Sequence, residues 1–183
     1  MAQWIGPHRI LALLGRGGIA EVWLAADPSG RQVALKRLHR ATPRDVARLR
    51  REGDWLSEIE HPNVVRALGS GAHEGVPFLL LEWAAGGSLE SRARPVPTAA
   101  LARWAIDVLA GLGALHAHGV VHRDVKPANL LLGSDGAMRV ADLGVGWGPG
   151  AVRSRPGATL GSPAYMAPEQ RYHPDHVGPA ADL

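Results

Sequence analysis

The segment HRDVKPANLL, residues 122–131, limits this chain more than any other stretch. Pro127 has no backbone N–H and breaks a regular helix, so Asp124, Lys126 and Asn129 must share a loop. A carboxylate, an ammonium and an amide on one rigid loop can accept a proton, neutralise a phosphate and bind a hard cation through oxygen. Thirteen residues beyond Asn129 comes ADLG, which sets Asp142 at the end of a strand. Asn129 and Asp142 then supply two oxygen donors. That pair suits Mg2+, which keeps several waters and takes substrate phosphates as further ligands.

Lys126 is one of only two lysines, the other being Lys36, against eighteen arginines. The two residue types are interchangeable on a solvated face, but not where a compact ammonium meets a phosphate oxygen. Counting alone leaves chance and chemistry level, so the neighbours decide. Lys36 lies in VALK, flanked by Ala34 and Leu35, with Arg37 next to it. A part-buried lysine needs a partner. Glu52 lies on or beside the apolar face of the following helix. Taken by itself, with Asp54, Glu58 and Glu60 around it, Glu52 reads better as part of a solvated face.

The first third reads as strands around turns. HRILALLG and AEVWLAAD flank a glycine-rich turn at 15–18, PSG at 28–30 is a second turn, and RQVALKRL is a third apolar run. A helix then begins with Thr42 as N-cap and Pro43 at its first position, with Val46, Leu49, Gly53 and Leu56 on one face. HPN at 61–63 stops it, and VPFLLLEW at 76–83 is a buried strand. AAGGS at 84–88 is a flexible connector that sets a lobe boundary, giving a small lobe over 1–83 and a large one over 84–183. A long helix runs from Thr98 to about Ala117, with Leu101, Ala105, Val108, Leu112 and Leu115 on its apolar face and Gly119 as its stop. LLLGSDGAMRVAD reads as a hairpin turning at GSDG.

The composition, 46% hydrophobic and 20% charged, is that of a globular chain. Net charge is only +3, and no run of like charge is long enough for a nucleic-acid arm, so no nucleic-acid partner is expected. Cysteine is absent, which excludes disulfides and thiolate metal sites. The N-terminus lacks signal-peptide organisation, and no apolar run reaches about 18 residues, so a cytoplasmic protein without a membrane segment is expected. Oligomeric state is not legible. Gly15, Gly17 and Gly18 let the backbone approach phosphates. A dinucleotide fold would need a helix straight after them and a Walker loop would need GK[ST]; here Val22 and Trp23 continue as strand, so a hairpin flap fits better.

The ordered set GRGGIAEV, VALK, Glu52 nine residues before HPNVV, HRDVKPANLL, DLG and GSPAYMAPEQ resembles the protein kinase family, specifically its bacterial eukaryotic-like (Hanks-type) serine/threonine members. It covers nearly the whole chain. The resemblance implies an α+β bilobal fold, a β-rich N-lobe and a mostly helical C-lobe. It implies transfer of the ATP γ-phosphoryl group to Ser or Thr hydroxyls of protein substrates, with ATP and Mg2+ as cofactors. Lys36 would hold the α- and β-phosphates and pair with Glu52; Asp124 would accept the substrate proton; Lys126 would neutralise the γ-phosphoryl; Asn129 and Asp142 would bind Mg2+. Leu14, Val22, Ala34, Leu81 and Leu131 would line the adenine slot, with Glu82 and Ala84 offering backbone groups to its edge. Ser162 would link Asp124 to Lys126, and Arg123 would meet a phosphate on Ser154 or Thr159.

Ala20 replaces the family's third flap glycine, and Leu143 its DFG phenylalanine. PAADL at 179–183 resembles the opening of the large lobe's central helix, with Asp182 as the family aspartate. A C-terminally truncated lobe is therefore expected, with Glu169 deprived of its family arginine. A pseudokinase-like ATP-binding module and an inactive fragment are the alternatives. Retention of every ionic catalytic residue argues against the first; the ending favours the second.

Overall fold

The computed structural model describes residues 3–92, 95–151, 162–172 and 177–183. The chain divides into two compact units, Met1–Glu58 with Arg66–Trp83 and Ile59–Val65 with Ala84–Leu183.

The first unit is a six-stranded antiparallel sheet with one helix. Its strands are β1 (Trp4–Ile5), β2 (His8–Arg16), β3 (Ala20–Ala26), β4 (Gln32–Leu38), β5 (Ala67–His73) and β6 (Val76–Glu82), in the order β1-β2-β3-β4-β6-β5. The register pairs Val22 with Lys36, Lys36 with Leu79, and Ala34 with Leu81. Directly opposed residues share a face, as do residues two apart, so Val22, Ala34, Lys36 and Leu81 lie together. The other face carries a closed core of Ile5, Ala25, Val33, Leu35 and Phe78, extended by Ile10, Trp23, Leu68 and Leu80.

Helix α1 (Pro43–Glu58) begins where Thr42 predicts. The Thr42 hydroxyl oxygen accepts the Asp45 N–H at 3.2 Å, and the hydroxyl donates to Asp45 Oδ2 at 2.6 Å. Pro43 loses nothing at a position whose N–H has no helical partner. Leu49, Glu52, Trp55 and Leu56 are buried. A glycine inside a helix costs roughly 1 kcal/mol relative to alanine. Gly53 is explained by close approach, since a Cβ there would lie 3.0 Å from Leu79 Cδ1.

The short β1 and the small-residue strand β5, ALGSGAH, have little apolar pattern and are not legible in the sequence. β5 nevertheless pairs with β6 from Ala67↔Leu81 to His73↔Val76. Gly71 serves packing rather than a turn: a Cβ there would lie 2.6 Å from Phe78 Cζ.

In the second unit, residues 59–65 join through β8 (Met138–Val140). Val65 N–H donates to the Val140 carbonyl (2.9 Å), Val140 N–H to the Asn63 carbonyl (2.8 Å), and Asn63 Nδ2 to the Met138 carbonyl (2.9 Å). The sequence reading assigned 59–65 to the first lobe; this ladder draws them into the second unit instead.

Helix α2 (Thr98–Ala117) ends at Gly119, whose φ is +71° and whose N–H donates to the His116 carbonyl at 2.9 Å. Its expected apolar face is covered only in part. Leu112 and Leu115 are buried, whereas Leu101 and Ala105 are exposed, as are Ile106 and Leu109. The C-terminal half is the part that packs. There a Cβ on Gly111 would overlap the Asn63 carbonyl oxygen, a sign of close approach. By length and composition α2 could cross a membrane. Asp107 Oδ2, however, accepts the Met138 N–H at 2.9 Å, which commits the helix to β8. β7 (Leu130–Leu132) and β8 form the expected hairpin, turning at 133–136 with Gly136 at φ +79°.

Candidate active site

The loop before Asp124 is held from behind by one buried carboxylate. Asp182, 5% exposed, accepts the N–H of His122 on Oδ2 (2.8 Å) and that of Arg123 on Oδ1 (2.7 Å), and Oδ2 also meets His116 Nε2 at 2.8 Å. Arg123 stands at φ +69°, a conformation that is costly for a residue with a side chain. Gln170 Nε2 holds its carbonyl at 2.8 Å. The fully buried His122 ring lies 2.9 Å from the Ala141 carbonyl through Nε2, and its Nδ1 accepts the Asp124 N–H at 3.2 Å. A carbonyl only accepts, so Nε2 carries the proton.

On this support Asp124 is surrounded by donors. Oδ1 accepts the Ser162 N–H at 2.7 Å; Oδ2 accepts Lys126 Nζ at 2.8 Å and Asn129 Nδ2 at 3.1 Å. Lys126 Nζ also donates to Ser162 Oγ at 2.7 Å. A carboxylate offers roughly four acceptor directions. Among the described residues three are filled, and the remaining one, on Oδ1, can take a substrate hydroxyl.

Asn129 belongs to a single tight turn, Pro127–Asn129, that opens with the proline. Its Nδ2 also donates to the Asp124 carbonyl at 2.8 Å, which fixes which end of the amide is nitrogen. The Asn129 backbone carbonyl accepts the Ala141 N–H at 2.9 Å, bringing Asp142 alongside. Asp142 has φ +65°, and its Oδ1 accepts the Gly144 N–H at 3.3 Å. The amide oxygen and the carboxylate form a hard, all-oxygen donor pair, which fits Mg2+ better than a softer metal.

In the first unit, Lys36 Nζ donates to both carboxylate oxygens of Glu52 at 2.7 Å. The side chains are 9% and 1% exposed. Glu52 is therefore no part of a solvated face; the register turns Lys36 toward α1, and the pair is buried together.

A model of the protein kinase domain matches residues 8–183. The chain belongs to the protein kinase family. It is 40% identical over 175 residues to the DNA damage-responsive serine/threonine-protein kinase RqkA of Deinococcus radiodurans, covering 90% of this chain and 26% of that protein. It is 36% identical to CBL-interacting protein kinase 4 of Oryza sativa (97% and 42% covered) and 33% identical to the serine/threonine-protein kinase AfsK of Streptomyces griseus (98% and 23%). The chain thus spans between about a quarter and two fifths of these relatives' length. The bilobal protein kinase fold expected from the motifs is that of the family, and the family uses ATP and Mg2+.

The remaining residues expected to matter in this kinase domain lie as follows. Val22, Ala34 and Leu81 share the Lys36 face, with Ala34 and Leu81 buried. Leu14 sits at the irregularity between Leu13 and Gly15 in β2 and is 48% exposed. Leu131 is half-buried in β7. Glu82 N–H donates to the Arg66 carbonyl (3.0 Å) and the Ala84 carbonyl accepts Gly87 N–H (3.1 Å). Gly15 pairs with Val22, Gly17 and Gly18 form the exposed turn, and Ala20 is buried beneath it. Leu143 is buried. Ser154 and Thr159 lie outside the described residues.

Two contacts were missed by sequence reasoning. The Arg123 guanidinium lies 5.3 Å from the Trp147 ring centroid, a cation–π pair that also fixes this arginine. His39 reaches back to the glycine-rich turn, with its ring Nε2 2.9 Å from the Gly17 carbonyl. The only signal for either was an aromatic or a histidine close after a motif.

Proposed function

We propose that this chain is the catalytic domain of a serine/threonine protein kinase, transferring the γ-phosphoryl group of ATP to Ser or Thr hydroxyls of proteins. The observation that carries the reading is the acceptor direction left on Asp124 Oδ1 among the described residues, beside an ammonium that bridges Asp124 and Ser162. A substrate hydroxyl placed there gives its proton to Asp124. Its oxygen forms the new bond to the γ-phosphorus, and the bond from that phosphorus to the bridging β-phosphate oxygen breaks, ADP leaving with the electron pair. Lys126 Nζ offsets negative charge on the transferring group. Lys36, oriented by Glu52, meets the α- and β-phosphates. Asn129 Oδ1 and the Asp142 carboxylate would hold Mg2+, which when bound neutralises phosphate charge. The sheet face of Val22, Ala34 and Leu81 offers apolar area for adenine. The link between Lys126 and Ser162 favours hydroxyls of Ser and Thr by resemblance to kinases of that class.

The test is transfer from radiolabelled Mg·ATP to a generic basic protein, followed by phosphoamino-acid analysis. Phosphoserine and phosphothreonine are expected. Phosphotyrosine as the main product would overturn the reading.

A further inference from the structure

The glycine-rich turn is held at three points, two of them on one residue. Gly17 N–H donates to the Ala20 carbonyl at 2.8 Å, closing the turn on itself. The His39 backbone N–H donates to the Ile19 carbonyl at 2.9 Å, and the His39 ring Nε2 lies 2.9 Å from the Gly17 carbonyl. Since a carbonyl can only accept, Nε2 is the protonated nitrogen. The other ring nitrogen lies 3.9 Å from Glu21 Oε1, and Glu21 pairs with Arg16 at 2.8 Å. The ring is thus flanked by the strand that leaves the turn. In a planar trans peptide the carbonyl and the next N–H point in opposite directions. Fixing the Gly17 carbonyl therefore fixes the Gly18 N–H on the far side. Among the described residues, the Gly18 and Ile19 N–H groups have no hydrogen-bond partner, and both residues are exposed. Exposed amides of a glycine-rich turn that have no protein partner suit an anionic oxygen.

We infer that His39 is the positioning residue of this turn: its ring clasps the Gly17 carbonyl and so presents the Gly18 and Ile19 amides to a phosphate oxygen of the nucleotide. The inference rests on the kinase reading above and adds a residue to it. The turn is rich in glycine and would sample many backbone conformations. His39 removes that freedom before the ligand arrives, and so lowers the cost of binding.

The test is calorimetric titration of the whole chain with Mg·ATP and, separately, with adenosine, which lacks phosphates. His39→Ala should weaken Mg·ATP about threefold to tenfold, the span of one lost neutral hydrogen bond. Adenosine binding should not change. His39→Gln, which keeps an N–H donor at similar reach, should recover most of the loss. Unchanged Mg·ATP affinity in His39→Ala, or equal losses for ATP and adenosine, would overturn the inference. A wild-type chain that bound neither ligand would instead refute the kinase reading. The clasp would then be judged from the amide order parameters of residues 17–19, which fall in His39→Ala if the ring holds the turn. Unchanged order parameters would refute it.

Discussion

Replacing Glu52 with Leu tests how the buried pair in the first unit is held. Lys36 and Glu52 meet at 2.7 Å with side chains 9% and 1% exposed, so neither charge can turn to solvent without moving α1 or β4. Removing one partner leaves the other charge buried, at a cost of about 3–5 kcal/mol. That is a large share of a typical domain stability of about 5–15 kcal/mol. Lys36→Met should cost a similar amount for the same reason. The double replacement removes both desolvation penalties along with the attraction and should come within about 2 kcal/mol of wild type. The coupling in the resulting cycle is then at least about 4 kcal/mol. Urea unfolding of the whole chain, followed by far-ultraviolet circular dichroism, measures all four corners. The double variant should still fail to transfer phosphate, because Lys36 is gone, and this separates stability from function. A single-variant cost below about 1 kcal/mol, or a double variant as unstable as the two singles summed, would refute the reasoning.

Asp142→Asn should weaken Mg·ATP binding itself, because a neutral amide replaces a charged oxygen ligand; titration at several Mg2+ concentrations reads the loss, and unchanged affinity would contradict the assignment. Asp135 in the β7–β8 turn is exposed, and Arg139 holds its carboxyl well below the ordinary value of 3.8. A depressed carboxyl stabilises the fold above its unfolded pKa and loses that contribution as pH falls through the folded one. Asp135→Asn should therefore cost at most about 1 kcal/mol at neutral pH, given solvent screening, and the gap from wild type should narrow on acidification below 3.8. Unfolding series at neutral and acid pH check this, and a gap that widened in acid would be the wrong sign.

The long strands and both long helices were legible because their apolar periods and caps agree with the fold. Thr42 and Pro43 open α1 as their chemistry dictates, and Gly119 closes α2. β5 was not legible because its residues are chosen by neighbours: Gly71 exists to clear the Phe78 ring, and such a demand leaves no local pattern. Residues 59–65 were assigned with the helix they follow, but backbone bonds to β8 decide their unit, and those join segments about 75 residues apart. At the candidate site, residue types and order nominated the residues, and packing supplied their surroundings. Glu52 looks solvated among its acidic neighbours, and only the register of β4 buries it against Lys36. Arg123 carries no sequence mark of its left-handed backbone, which Asp182 and Gln170 impose from distant segments. The outer half of α2 follows the expected period yet is exposed, because an apolar stripe predicts a wish for cover and not its extent.

The central claim is that Asp124 accepts the substrate proton, and Asp124→Asn tests it most directly. The amide preserves size, and its one oxygen can keep the contact to Lys126, while an NH2 group that cannot accept a proton stands in place of the basic Oδ1 that faces the Ser162 N–H. Phosphoryl transfer at saturating Mg·ATP should be measured beside the dissociation constant for Mg·ATP in both proteins. The account predicts nearly unchanged nucleotide affinity with turnover lowered about a hundred- to ten-thousand-fold, equal to about 3–5 kcal/mol of barrier. A variant that kept more than half of wild-type turnover would contradict it.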